Sequence, residues 1–208
     1  MTKFNYISII FLCFFFLESC SNQENTAIHE ENLKTEKEAF SGELPELSVY
    51  HLPSTWTNQN NETIKLEDLR GDIIVTVMIY TSCKASCPRL VADVRRIYEK
   101  VSDHTNEQTK YVFVSIDPET DTPERMKAFA KENEMDTDQW MFLRGNMDDT
   151  REFANVLAVG YKRISPLDFS HSNIISVFDQ NGVLQYQKEG LDQNIDQVVE
   201  EIEKLSLQ

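Results

Sequence analysis

"DIIVTVMIYTSCKASCPRLVADVRRIYEK", Asp72 to Lys100, contains a strand, a turn and a helix in one uninterrupted run. Asp72 to Tyr80 is apolar or β-branched after its first residue, which is too continuous for a sheet with one wet face. It therefore reads as a fully buried strand. Beyond Pro88, the residues Leu90, Val91, Val94, Ile97 and Tyr98 recur at helical spacing, while Arg95, Arg96, Glu99 and Lys100 fall elsewhere on the wheel. Proline is accepted in a first helical turn and disrupts later ones, so the helix starts next to Cys87. Cys83 and Cys87 thus sit four positions apart between strand and helix. They could be a structural disulfide, a redox couple or two arms of a metal site. Helix N-terminal amides carry partial positive charge and favour thiolate over thiol, and Lys84 adds to that field.

Outward from this run, strands and helices alternate. Tyr111 to Ile116 is a second buried strand, and "DPETDTPERMKAFAKEN" (Asp117 to Asn133) opens a helix. Asp121 or Thr122 can cap it, with Pro123 at the first helical position and Glu124 in the first turn. Trp140 to Arg144 reads as a strand, and Asp148 to about Leu157 as a short helix. Near the C-terminus, "NIISVFD" and "VLQYQKE" flank Asn181-Gly182, a two-residue hairpin signal, ahead of an amphipathic helix carrying Ile195, Val198, Val199, Ile202 and Leu205. Toward the N-terminus, "LPELSVY" (Leu44 to Tyr50) and "ETIKLEDL" (Glu62 to Leu69) read as short strands around the polar "NQNN". These elements predict an α/β fold over residues 42–208. The expected architecture is a thioredoxin-like sandwich with an added N-terminal β-hairpin and a late β-hairpin.

The 208-residue chain suffices for one folded core, and its formal charge of −15, with no basic stripe, excludes a grip on nucleic-acid backbones. Lys3, the apolar stretch Tyr6 to Leu17 and "LESC" resemble a bacterial lipoprotein signal, with Glu18 departing from the usual pattern. The resemblance implies cleavage after residue 19 and acylation of Cys20. Cys13 would be discarded, and Cys83 and Cys87 would remain as the free thiols of an exported domain. Residues 20–41, rich in carboxylates and amides and including His29, read as a flexible tether. These features predict a protein of the bacterial cell envelope, lipid-anchored and facing the periplasm or extracytoplasmic side.

A thiolate pair needs a third donor to hold a soft ion, and the domain offers His51, His104 and His171. His171 lies in "SPLDFSHSNIISVFD", just before a buried strand, where a loop can approach the cysteines. Its plain alternative is a loop histidine bonded only to backbone. His104, in polar "SDHTNEQ", reads as surface, and His51 falls in the N-terminal hairpin. Asp117 and Asp121 could act as an acid/base pair or support a site, but a turn and a helix cap account for them. Trp56, Trp140, Tyr161 and Phe169 could line a partner surface, but most of them read as core. No phosphate loop, dinucleotide fingerprint, HExxH or GxSxG occurs in the chain.

"TSCKASCP", "VFVSIDPETDTPE" and "SHSNIISVFDQNG" stand in the order and at about the separations of the Sco (SenC) family of copper-binding, thioredoxin-like proteins. The resemblance runs from about Leu44 to Leu205. It implies that Cys83, Cys87 and His171 bind a copper ion and that Cys83 and Cys87 are redox thiols. It further implies delivery of copper to, or preparation of thiols in, the binuclear copper centre of a respiratory oxidase. The partner would be a copper-accepting oxidase subunit or another exported cuproprotein, met by a monomer. Lys84 departs from the family, which commonly has proline there. Thiolate and imidazole suit Cu(I), whereas zinc would seek a fourth ligand. A competing expectation is a thiol-disulfide oxidoreductase with Cys83 attacking. A third is a permanent structural disulfide.

Overall fold

The computed structural model describes residues 42–208 except Leu167, Asp192 and Gln193. The expected leader, the acylated Cys20 and the tether, with Cys13 and His29, lie outside the described residues. The N-terminal hairpin is formed by β1 (Thr55–Asn58) and β2 (Thr63–Lys65). Its first strand is not "LPELSVY": Val49–His51 is a 3-10 turn, with the Ser48 hydroxyl accepting the Tyr50 N–H. The strand falls instead where Trp56 can be fully buried. Asn58 closes the polar turn, its Oδ1 accepting the N–H groups of Asn60 and Glu62 at 2.9 and 3.0 Å. "ETIKLEDL" is strand only as far as Lys65, because Asp68 accepts the Lys65 N–H at 2.8 Å and draws Leu66–Leu69 into another 3-10 turn.

β3 (Ile73–Ile79) is buried at every position. α1 (Cys87–Lys100) follows, burying Leu90, Val91, Val94 and Ile97. The polar "SDHTNEQ" is not a loop throughout: Ser102 caps a short helix, α2 (Asp103–Glu107), by accepting the Thr105 N–H. β4 (Thr109–Ser115) leads to α3 (Pro123–Glu132), capped by Thr122. β5 (Trp140–Arg144) leads to α4 (Met147–Val156), where Asn146 caps. A small ribbon comes next, β6 (Tyr161–Arg163) with β7 (Phe169–His171), and then β8 (Ile174–Phe178), β9 (Leu184–Glu189) and α5 (Asp196–Leu205).

The main sheet runs β2-β1-β5-β4-β3-β8-β9, and β6-β7 stands apart as its own two-stranded sheet. β3, β4 and β5 are parallel; β1 and β8 pair antiparallel on either side of them. This is the thioredoxin-like α/β sandwich read from the sequence. The late hairpin turns over more residues than Asn181-Gly182. The Gly182 N–H reaches the Asp179 carbonyl at 2.9 Å, and the Asp179 N–H reaches that of Val183 at 3.1 Å. Asn181 does not take the positive φ that the tighter turn demands, whereas Gly182 does, at 73°. Trp56, Tyr111, Phe113, Phe142 and Phe178 fill the interior.

Candidate metal centre

β3 and β4 are parallel and in register from Ile73↔Thr109 to Ile79↔Ser115, so the loops that follow them leave the sheet side by side. The first of these carries the cysteines. Cys83 lies in the loop and Cys87 is the first residue of α1. The Cys87 N–H, one of the helix's open amides, points at Cys83 Sγ at 3.4 Å. The third group arrives on β7, pairing Tyr161↔His171 with β6, so His171 belongs to a strand and not to a loop. Its Nε2 stands 3.4 Å from Cys87 Sγ and 3.2 Å from Ser86 Oγ. Cys83 Sγ, Cys87 Sγ and a His171 nitrogen all lie within 4.8 Å of one another, and both cysteines are free thiols. Among the described residues this is the one such cluster.

The ring is oriented for ligation. His171 Nδ1 is 2.9 Å from the Ser172 carbonyl, which can only accept, so Nδ1 carries the proton and Nε2 turns its lone pair toward the sulfurs. Tyr80 lies edge-on to the same ring, 6.0 Å between centroids, and its hydroxyl accepts the Phe169 N–H at 3.3 Å.

The two thiols differ in acidity, although both stand at the helix N-terminus. Burial pushes the Cys83 thiol up, but hydrogen bonds from the Cys87 side chain and main chain, the Ala85 main chain and the Tyr80 hydroxyl outweigh it and bring it down to about 6. Burial pushes the Cys87 thiol far above the ordinary range, and negative charge at Cys83 and Asp121 adds to the effect. The expectation that the helix terminus favours both thiolates is therefore corrected. Cys87 is so enclosed, at 1% exposure, that lost hydration dominates. Burial also raises the Tyr80 phenol, to about 12. Lys84 is exposed beside the site.

His51 sits in the 3-10 turn, exposed, 2.9 Å from the Pro45 carbonyl, and His104 is exposed on α2 beside Gln108. Neither joins the cluster. Asp121 is not the helix cap, since Thr122 holds that position. The buried Asp121 carboxylate instead accepts the Thr81 N–H and hydroxyl and the Ser115 hydroxyl. Asp117 makes the expected turn, its carbonyl accepting Thr120 and Asp121 N–H groups, and its carboxylate takes an Arg163 Nη2 at 2.9 Å. Trp56, Trp140 and Phe169 are core; Tyr161 is half-buried. Sequence reasoning missed Ser86 and Arg163. Ser86 offered one signal, its place beside Cys87 on the turn that brings the sulfurs together. An open cleft of about 420 Å³, lined by Gly160, Tyr161, Lys162, Ser170, His171 and Ser172, gives access to the imidazole.

Fold and site together define a thioredoxin-like protein in which the loop after β3 supplies two sulfurs and the separate β6-β7 ribbon an imidazole, set out as soft-metal donors. The SCO1/SenC family profile matches residues 47–207. The chain belongs to the SCO1/SenC family. It is 32% identical over 103 residues to the SCO1 protein homolog of Bacillus subtilis, a match covering 49% of this chain and 53% of that protein. The chain thus spans about half the length of that curated relative. The SCO1/SenC family lipoprotein of Bacillus anthracis superimposes with a TM-score of 0.67 at 23% identity, covering 73% of this chain and 92% of the other. Arabidopsis thaliana ScoI, solved with copper bound, gives 0.63 at 18% identity, covering 74% and 95%.

Proposed function

We propose that this protein is a copper metallochaperone of the cell envelope, holding Cu(I) through Cys83, Cys87 and His171 and passing it to the thiols of an exported partner. The observation that carries the reading is the convergence of two sulfurs and a correctly turned Nε2 within 4.8 Å. Two thiolates and one imidazole form a low-coordinate set suited to Cu(I). A partner's thiolate can then displace one donor at a time, with His171 among the residues that line the open cleft. The copper-bound Arabidopsis relative supports the choice of ion. By analogy with the family, the recipient is the binuclear copper centre of a respiratory oxidase. The Bacillus anthracis relative, a lipoprotein, supports attachment to a membrane through Cys20. Among the described residues no helix is long and apolar enough to cross a membrane.

Anaerobic titration of the reduced protein with Cu(I) against a competing chelator tests the reading. One ion binds per chain. Cys83→Ser and Cys87→Ser abolish tight binding, and His171→Ala weakens it by about 10-fold or more. Parental affinity in all three variants would overturn the assignment. The nearness of the sulfurs also favours thiol-disulfide exchange as a second reading. In it, oxidation of the pair to one disulfide supplies the two electrons that reduce a partner's disulfide. That activity survives His171→Ala, and the two readings separate on this variant.

A further inference from the structure

The segment "DPETD", Asp117 to Asp121, carries two buried carboxylates, 2% and 1% exposed, that the copper chemistry does not use. They do not act on one another. Asp121 reaches the start of the cysteine loop, accepting the Thr81 N–H at 3.1 Å and the Thr81 hydroxyl at 2.5 Å, and it takes the Ser115 hydroxyl at 2.6 Å. Asp117 reaches the other way, to Arg163 on β6. Arg163 stands opposite Phe169 in the ribbon register, two positions from the Tyr161↔His171 pair. Its guanidinium lies 4.5 Å over the Phe169 ring, and its Nη1 donates to the Pro166 carbonyl at 3.1 Å. The ribbon shares no strand pairing with the main sheet. Within the turn, the Asp121 N–H donates to the Asp117 carbonyl at 2.9 Å, which fixes the two carboxylates relative to one another.

We propose that the Asp117–Asp121 turn is the common anchor of the metal centre: Asp121 positions the cysteine loop, and the Asp117–Arg163 pair positions the histidine strand. The inference rests on the metal-binding reading above. This short buried turn helps set the separation between the sulfurs and the imidazole, since each donor-bearing segment is tied to one of its ends, and it acts alongside the direct bond from the Phe169 N–H to the Tyr80 hydroxyl. A buried carboxylate deprived of its guanidinium is left uncompensated, so the pair resists opening. Asp117, Asp121 and Arg163 are positioning residues; none belongs to the donor cluster.

The test uses the full protein, reduced, both metal-free and titrated with Cu(I). Arg163→Ala and the isosteric Asp117→Asn each lower Cu(I) affinity by about 10- to 100-fold. Added to His171→Ala, either one costs nothing further, because both act through that ring. Asp121→Asn does lower the residual affinity of His171→Ala, because it acts on the sulfurs. In the metal-free protein, amide hydrogen exchange quickens over Tyr161–Arg163 and Phe169–His171 for the first two variants and over Thr81–Cys87 for the third. Parental affinity in Arg163→Ala and Asp117→Asn overturns the proposal, and so does an equal loss with and without His171, which marks general destabilisation. If Arg163→Ala does not fold, Asp117→Asn decides. If the parent binds no Cu(I), the metal-binding reading falls and the exchange pattern alone decides the anchor.

Discussion

Cys83 and Cys87 bear the same side chain and are separated by what surrounds them. Cys83 gathers hydrogen bonds from the helix it precedes, while Cys87, a member of that helix, is sealed beneath it. In the metal-free protein a proton leaves Cys83 first. Iodoacetamide therefore modifies Cys83 ahead of Cys87, at a rate that climbs as pH rises through about 6, as peptide mass spectrometry will show. Because the folded thiol binds its proton more weakly than the unfolded one, at about 6 against 9.0, its contribution to stability is complete above pH 9.0 and disappears as pH falls through 6. The cysteines and His171 were legible as residues of the right chemistry, and their convergence was implied by the family resemblance, not by spacing. Spacing describes a single segment, while His171 reaches the sulfurs only through the pairing of β6 with β7. Arg163 gave no signal, since its partner Asp117 lies 46 positions away.

Elements that bury a face were readable, because burial imposes a period. β3, β4, β8, α1 and α5 all fall where apolar residues recur. β6 and β7, three residues each and largely outside the core, impose no such pattern and escaped. The N-terminal hairpin was displaced for a related reason. Short polar strands are specified by their turns, and Asn58 and Ser48 act through side-chain bonds that periodicity does not register. At Gly182 the turn chemistry can be tested directly. A Cβ there would lie 2.9 Å from the Tyr50 ring, on a backbone with φ of 73°. Gly182→Ala therefore lowers unfolding free energy by about 1 to 2 kcal/mol, measured by urea denaturation, and loosens the Val49–Gly182 contact that docks the N-terminal turn.

Across the whole molecule, the site joins pieces of unequal embedding. The cysteine loop hangs from the buried strand β3, and the imidazole from a separate ribbon. An ion held by both ties the ribbon to the sheet, so Cu(I) raises the unfolding temperature of the parent in anaerobic calorimetry. A Cu(I) chelator reverses the rise, and Cys87→Ser does not show it.

The two outer margins of the seven-stranded sheet bear on how copies behave together. One margin, β2, is three residues long; the other, β9, reads "LQYQKE", amides and charges for most of its length. Neither offers the long, flat, oily template on which a neighbouring chain would zip. Edge-to-edge pairing is thus disfavoured at both margins of the described sheet.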